Sequence, residues 1–587
     1  MHIQNVFLFK HVRFLVLSFL AFLVFLPQAA YGAVLDPQDG GIGNTTHYSQ
    51  FQPSFTPGKK VDHIIYPLLS TPAIQKQGTN LTIKVDTQGK SPGGWQISLD
   101  SLEQSPVKNE YVLPFVSAKP GTSYWKKDGS IYDVTVKVPS NIPEALYDLK
   151  VTYTAGGSAV TDSQAHAVKV VKSFKKNFSF LHLTDIHVAS PRNISDPTNA
   201  EEAGFWNPDP NKRWLYLQKA IREVNLLKPD FVALTGDLVF GQMNPKEYAY
   251  EYEEVYRMLK QLNVPVYIVP GNHDGYAQDL TLTDGLKYWN DYFGPLYFSF
   301  NYGPYAHFIG LNSFDWNKID RSGNGTVSVP TWGGQVLNEQ LQWMKDDLAK
   351  NAATAQAGQL HGLLAHNNPL FRDRDMWPQS DPEVQQYWKE YDRQHNPQTP
   401  ANLILGEKLG TKYDQLWHGE GAQEIINLMK QYHVQLGLHG HTHVDNITQQ
   451  DGILYSTTTS VELTGKPWIG YRIFQMNNGK LDSSYVYENP DRSLPVYQNG
   501  DTAGGVMSFE VQYASPNDGT AASQTAVIYN RLNRPVTLYV PFYMEKGVYK
   551  TTGGSLYQTE TQGDKQAMEV QITIPANSSQ QITVSPS

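Results

Sequence analysis

Five short segments carry side chains able to hold a cation or move a proton. They are "TDIH" with Asp185 and His187, "TGD" with Asp237, "GNHD" with Asn272, His273 and Asp274, "AHNN" with His366, and "GHTH" with His441 and His443. Their donors are carboxylate, carboxamide and imidazole. The 587-residue chain has no cysteine, which excludes thiolate metal sites and cysteine nucleophiles. An oxygen and nitrogen donor set suits hard or borderline divalent ions such as Mn²⁺, Fe²⁺ or Zn²⁺. The segments supply enough donors for two ions with one residue shared. Two ions ~3.5–4 Å apart clamp the attacking and leaving oxygens of an in-line displacement and bring the pKa of a bridging water towards neutrality. Taken singly, each segment has an ordinary reading: "GD" is a common turn, and Asp185 could cap the element after its strand.

The surrounding elements argue for the joint reading. From "FSFLHLTD" onward, strand-like runs alternate with helical ones: "RWLYLQKAIREVNLLK", "DFVALTGD", "YAYEYEEVYRMLKQL" and "PVYIVPGNHD". In the first helical run, Leu215, Leu217, Ala220, Ile221, Val224 and Leu227 keep to one face at helical spacing, as a helix covering a sheet requires. The strands "HFIGLNS" and "QLHGLLAHN", the helix "AQEIINLMKQYH" and the strand "VQLGLHGHTH" continue the pattern. In a layered αβ fold the carboxyl ends of strands gather at one edge, where ligand sites form. All five segments stand at predicted strand ends.

The ordered series Asp-x-His, Gly-Asp, Gly-Asn-His-Asp, His and Gly-His-x-His, running from Asp185 to His443, resembles the calcineurin-like metallophosphoesterase superfamily over roughly half the chain. The resemblance implies an α/β (α+β) double β-sheet sandwich flanked by helices. It implies two divalent metal ions, Mn, Fe or Zn, as cofactors. The first would be held by Asp185, His187, Asp237 and His443, the second by Asp237, Asn272, His366 and His441. Asp237 would bridge them, one oxygen to each, and a metal-bridging hydroxide would attack a phosphate ester. His273 would not be a ligand but would assist the substrate phosphate or protonate the leaving alkoxide. Asp274 would orient the His273 ring. Purple acid phosphatases of the same fold place a tyrosine three residues after the shared aspartate; here that residue is Phe240, so no tyrosinate ligand is expected. The opening and Gly-Asn-His-Asp blocks are similar to the cyclic-nucleotide phosphodiesterase branch, which tilts the expected substrate towards phosphodiesters, with a phosphomonoesterase as the alternative.

The remaining histidines of the region read as packing or surface residues. His182 lies three before Asp185, on the opposite face of an alternating strand. His439 reads as a buried structural residue with a supporting contact to the site as its rival, and His307, His361 and His433 as core or surface. About 75 positions separate His366 from His441, long for one strand-helix passage. Trp377, Tyr387, Trp388 and Trp417 there, with Arg372 and Arg374, form either a substrate lid or a solvent-facing insertion. Arg192, in the long polar loop after the first segment, is a further candidate for a phosphate contact.

The flanks complete the expected organisation. An apolar run, Phe14 to Leu26, follows Lys10 and Arg13 and ends in small residues. It is short of the ~20 residues a membrane span needs and reads as a signal peptide over 1–32, with an uncleaved anchor as the rival. A cysteine-free exported chain is held by packing, which suits a periplasmic, secreted or cell-surface protein. Residues 33–60 read as a flexible arm, 61–172 as an immunoglobulin- or fibronectin-like β-sandwich, 173–489 as the metal-binding unit, and 490–587 as a second β-sandwich. A net charge of −9 argues against nucleic acid and leaves a small-molecule ester as the expected partner. A reading of another class is a surface binding protein whose enzyme domain is retired.

Overall fold

The computed structural model describes residues 58–188, 213–241, 245–275, 286–316, 333–370, 382, 417, 419–462, 468–482, 493–498 and 508–587. The expected signal peptide, most of the arm, Arg192, Arg372, Arg374, Trp377, Tyr387 and Trp388 lie outside these residues.

Two six-stranded sheets stack in the middle of the chain. The first contains β1 (Phe178–Leu183), β2 (Phe231–Thr235) and β3 (Val266–Val269), connected through α1 (Leu215–Leu227) and α2 (Pro245–Leu259). These three strands are parallel. The second sheet follows α3 (Leu286–Tyr292). It contains β4 (Phe298–Tyr302), β5 (Ala306–Leu311), β6 (Leu360–Ala365), β7 (Leu436–His439), β8 (Asn446–Gln450) and β9 (Ile453–Thr457), with α4 (Asn338–Ala352) and α5 (Ala422–Gln431) on its outer face. β5, β6, β7 and β9 run parallel. The chain then returns to the first sheet as β10 (Trp468–Asn477), antiparallel to β1.

Aromatic residues fill the space between the sheets. Phe180 and Phe231 of the first sheet meet Phe308 of the second edge-on at 5.4 and 5.3 Å between ring centroids, and Tyr267 stacks on Phe300. Strands buried on both faces read as near-continuous apolar runs, as "FVALT" and "VYIV" do. The double sandwich agrees with the expected fold class. Two elements had escaped the sequence reading. The helix α4 has a weak apolar stripe, only Gln340, Met344 and Leu348 being buried. The strand Leu494–Gln498 pairs with β10, so chain beyond the expected boundary at 490 still adds to the first sheet.

The N-terminal flank is a two-sheet sandwich closed over Ile83, Val85, Val134, Leu149 and Val151, and the strands read from its alternation are present. The C-terminal flank pairs a four-stranded with a three-stranded sheet. Its core residues Val540, Phe542 and Val570 belong to one continuous cluster with Leu217 and Val224 of α1, so this flank is seated on the first sheet's helix layer. Among the described residues no helix is long and apolar enough to cross a membrane.

Candidate metal centre

The parallel strands of both sheets deliver their carboxyl ends to one edge, and the five segments meet there. Past the ends of β1 and β2 the backbone stays paired: the amides of Asp185, His187 and Val188 donate to the carbonyls of Gly236, Asp237 and Leu238 at 3.1, 3.0 and 2.9 Å. The third turn is pressed against the second. A Cβ on Gly271 would stand 2.2 Å from Asp237 Oδ1, so only glycine lets these backbones approach. Gly440 does the same for the last segment, since a Cβ there would lie 1.9 Å from Thr184 Oγ1 and 2.3 Å from Asp185 Oδ2.

Two groups of lone-pair donors result. Asp185, His187, Asp237 and His443 form one, and Asp237, His366 and His441 the other, the ligand atoms of each lying within 4.8 Å of one another. In the first, His187 Nε2 is 2.9 Å from His443 Nε2 and 3.6 Å from both Asp185 Oδ1 and Asp237 Oδ2. His443 Nε2 is 3.1 Å from Asp185 Oδ1. In the second, His366 Nε2 is 3.1 Å from both Asp237 Oδ2 and Asn272 Oδ1, and His441 Nδ1 is 3.0 Å from the same Asn272 oxygen. Asp237 Oδ2 therefore faces both groups, whereas Oδ1 accepts the His273 amide at 2.9 Å. This differs from the expected sharing of one carboxylate oxygen per group: the neighbouring turn has already claimed the other oxygen.

Carboxylate and imidazole lone pairs converging in a buried space are mutually satisfied by cations, so the donor set fits divalent ions. Supporting contacts aim the ligand atoms. His366 Nδ1 donates to the Thr235 carbonyl at 2.6 Å, which turns Nε2 inward. Asp185 accepts from Thr184 Oγ1 at 2.7 Å and from the His441 amide at 3.0 Å. Burial would raise Asp185, but His443, His187 and His366 outweigh it and hold its carboxyl well below the usual range. Burial likewise would lower His366, yet Asp237 and Asp185 push it up to about 9. By contrast burial brings His187 down to about 4 and His441 to about 3. Asp185, His187, Asp237, His441 and His443 all have positive φ, a conformation that non-glycine residues adopt sparsely and that collects at functional sites.

His273 stands beside the first group without joining either. Its ring meets that of His187 edge-on at 4.7 Å, and Nδ1 donates to the Phe240 carbonyl at 2.5 Å. Asp274 does not orient that ring, contrary to expectation. Its carboxylate accepts the amides of Leu238, Val239 and Gly271 at 2.9, 3.2 and 2.7 Å, because the two turns beside it leave three inward N–H groups that need an acceptor. Asp274 thus clamps the second turn to the third, and burial followed by the Asp237 charge push its carboxyl up to about 8. The Phe240 ring lies 6.3 Å from that of His187 and offers no coordinating atom.

The other histidines are structural. His182 bridges Thr235 Oγ1 and Thr458 Oγ1 at 2.8 and 2.7 Å. His439 Nδ1 donates to the Ala365 carbonyl at 2.8 Å, and His307 spans Asn301 and Asp347 at 2.9 Å each. His361 bonds the Tyr432 carbonyl at 3.1 Å, and His433 is exposed. Trp417 is no lid residue: it is 3% exposed, in a cluster with Val336, Met344 and Ile425, and donates to the Glu420 carbonyl at 3.0 Å. Two supports were missed in the sequence, Thr184 and Asp445. Asp445 accepts from Arg472 at 3.0 Å, from the Ser493 amide and hydroxyl at 2.8 and 2.7 Å, and from the Thr459 amide at 3.2 Å. Thr459 in turn donates its hydroxyl to the His443 carbonyl at 2.9 Å. Asp445 follows "GHTH" by two residues in "GHTHVD", the one local sign of its role.

Residues 178–445 match the family model for calcineurin-like phosphoesterases. The chain therefore carries a calcineurin-like phosphoesterase domain, and it is a hydrolase acting on phosphoric esters. No curated protein matches its sequence. Among solved structures it is similar to PhoD, with 10% identity over 73% of this chain and 86% of that chain and a TM-score of 0.34. It is also similar to GAP50, the anchor in the inner membrane complex of Plasmodium, with 12% identity over 52% and 83% of the two chains and a TM-score of 0.29. A putative 5'-nucleotidase from Staphylococcus aureus in complex with alpha-ketoglutarate shares 12% identity over 54% of this chain and 56% of that chain, with a TM-score of 0.30. TM-scores this low assign nothing to individual residues.

Proposed function

We propose that the protein is an exported phosphoesterase that uses two divalent ions to hydrolyse small-molecule phosphate esters, with phosphodiesters as its preferred substrates. The observation that carries this reading is the pair of donor groups sharing Asp237. Asp185, His187, Asp237 and His443 would hold one ion, and Asp237, Asn272, His366 and His441 the other. Bound there, such ions supply Lewis-acid activation of water and neutralise charge on the phosphoryl group. The preference for diesters rests on the Asp-x-His and Gly-Asn-His-Asp blocks, and export on the N-terminal apolar run.

The chain's own residues do the rest. Asp237 Oδ1 takes the His273 amide, which fixes where His273 starts relative to the cluster. The Phe240 carbonyl engages Nδ1, so the proton is exchanged at Nε2 and the imidazolium can pass it to a departing alkoxide. Thr184 and Thr459 hold Asp185 and the His443 backbone in register.

The test is turnover of p-nitrophenyl phosphate and bis(p-nitrophenyl) phosphate by Mn²⁺-loaded protein, with and without chelator. The reading expects chelator-sensitive hydrolysis, faster on the diester, and a His273→Ala variant that keeps its metal while losing about 10²-fold or more in rate. Loss of metal in His273→Ala would overturn its assignment as a proton donor. A faster monoester would overturn the diester preference, and no hydrolysis of either would favour a surface binding protein.

A further inference from the structure

Val168 and Val170 of the strand Ser158–Val171 belong to the core of the N-terminal sandwich. Side chains alternate along a strand, so Lys169 leaves the opposite face of that sheet. There it lines a cavity of about 630 Å³ walled by all three parts of the chain: Tyr147 with Lys169 from the first sandwich, Leu226 and Lys228 at the end of α1, and Tyr513 with Tyr539 from the last. None of the candidate metal ligands lines it.

Lys169 is 5% exposed. Among the described residues it has neither a hydrogen-bond nor an ion-pair partner, the surrounding charges acting only through space. The carboxylates that would ordinarily answer it are already engaged. Glu144 accepts from the Tyr557 hydroxyl at 2.6 Å and from the Lys172 amide at 3.0 Å, and Glu569 is paired with Lys228. Two of the wall tyrosines have also spent their hydroxyls, Tyr147 on the Pro143 carbonyl at 2.9 Å and Tyr513 on the Pro541 carbonyl at 2.5 Å. The Lys228 ammonium sits 5.6 Å from the Tyr539 ring centre. The cavity thus presents the Lys169 ammonium without a direct partner, beside aromatic and apolar residues such as Tyr147, Leu226 and Tyr513, in a lining that also carries Arg222, Glu510, Glu560 and Glu569. Of these acids Glu510 is paired with Arg531, and Glu560 accepts from Asn109 and the Tyr111 hydroxyl. An ammonium on a largely buried cavity wall without a direct hydrogen-bond or ion-pair partner is stabilised by an anion that reaches it.

We propose that this three-way junction is a binding site for a small organic anion, an aromatic or apolar body bearing a single carboxylate that pairs with Lys169. The volume lies within the ~300–1,000 Å³ of small-molecule sites. One unpaired ammonium matches one negative charge, and Lys228, which a phosphate dianion would need as a second partner, is committed to Glu569. Burial, then the neighbouring Lys228 charge, bring Lys169 down to about 8; pairing with a carboxylate reverses that tendency. Because N-terminal sandwich, helix α1 and C-terminal sandwich all contribute walls, occupancy also stabilises their arrangement.

The experiment is isothermal titration of the full chain with benzoate, 2-naphthoate and indole-3-acetate against their neutral amides, paired with thermal melts. At least one carboxylate is expected to bind, with its amide weaker by about tenfold or more. Lys169→Met should lose that binding while keeping or raising Tm and leaving phosphate-ester turnover unchanged. Ala567→Trp, which fills the cavity with Lys169 in place, should lose it too. The proposal is overturned if no carboxylate binds at millimolar concentration, if binding survives Lys169→Met or Ala567→Trp, or if Lys169→Met fails to fold or melts well below wild type, since the lysine would then be a structural partner.

Discussion

Gly440→Ala adds one carbon, and its consequence can be worked from the geometry. The new Cβ would lie 1.9 Å from Thr184 Oγ1 and 2.3 Å from Asp185 Oδ2, whereas real Cβ contacts essentially never fall below 3.0 Å. Something must therefore move by about 1 Å, because atoms inside a packed interior have no slack to absorb the overlap. The atoms in the way are those of the Thr184 to Asp185 hydrogen bond, 2.7 Å long, which sets the carboxylate against His443 and His187. Misplacing a catalytic group by about 1 Å costs on the order of 10²-fold in rate, or about 2.7 kcal/mol of transition-state stabilisation. Overpacking itself costs about 1–3 kcal/mol of stability, so the variant should fold with a lowered Tm. The assay is kcat/KM for bis(p-nitrophenyl) phosphate alongside metal content by elemental analysis. A Gly440→Ala enzyme within about threefold of wild type in both rate and metal content would refute the close-approach argument, since an uncrowded Asp185 is the only way to keep both.

Other consequences of the same packing can be checked singly. Asp445→Ala removes a carboxylate partner of the fully buried Arg472 side chain together with the acceptor of the Ser493 and Thr459 amides and should destabilise by about 3–5 kcal/mol in denaturant melts, with metal affinity falling as the His443 loop loses its anchor. Asp274→Ala leaves three buried backbone amides, those of Leu238, Val239 and Gly271, without their acceptor. It should cost about 1–3 kcal/mol, against no change if the contact were incidental. His166 is buried and held neutral, its pKa brought down to about 3 first by burial. Its folded pKa lies below the unfolded value, so the stability it contributes is complete above pH ~6.5 and is lost as pH falls towards 3. Between pH 6.5 and 4.5 that is roughly 2–3 kcal/mol, and His166→Gln should flatten the acid limb of Tm against pH.

Much of the site was legible because its chemistry is concentrated in short segments at strand ends. "TDIH", "TGD" and "GNHD" each close an apolar run that alternates with a helical one, so periodicity located the strands and the segments located their ends. What stayed hidden depended on distance in three dimensions. That Asp274 would turn to the amides of Leu238, Val239 and Gly271 could not be read from its place next to His273. That Asp237 would spend Oδ1 on the His273 amide depends on how closely Gly271 lets two turns approach. The membership of Leu494–Gln498 in the first sheet and the burial of Trp417 were set by partners far away in sequence. Lys169 gave no sign in a strand of ordinary alternation; only the meeting of three parts of the chain shows it buried without a partner.

The central claim is that two donor groups joined by Asp237 each hold an ion, and metal stoichiometry tests it most directly. Native mass spectrometry of Mn²⁺-loaded protein should give two ions per wild-type chain, one in His443→Ala and one in His441→Ala, and none held tightly in Asp237→Ala. A single ion in wild type, or two retained in Asp237→Ala, would contradict it.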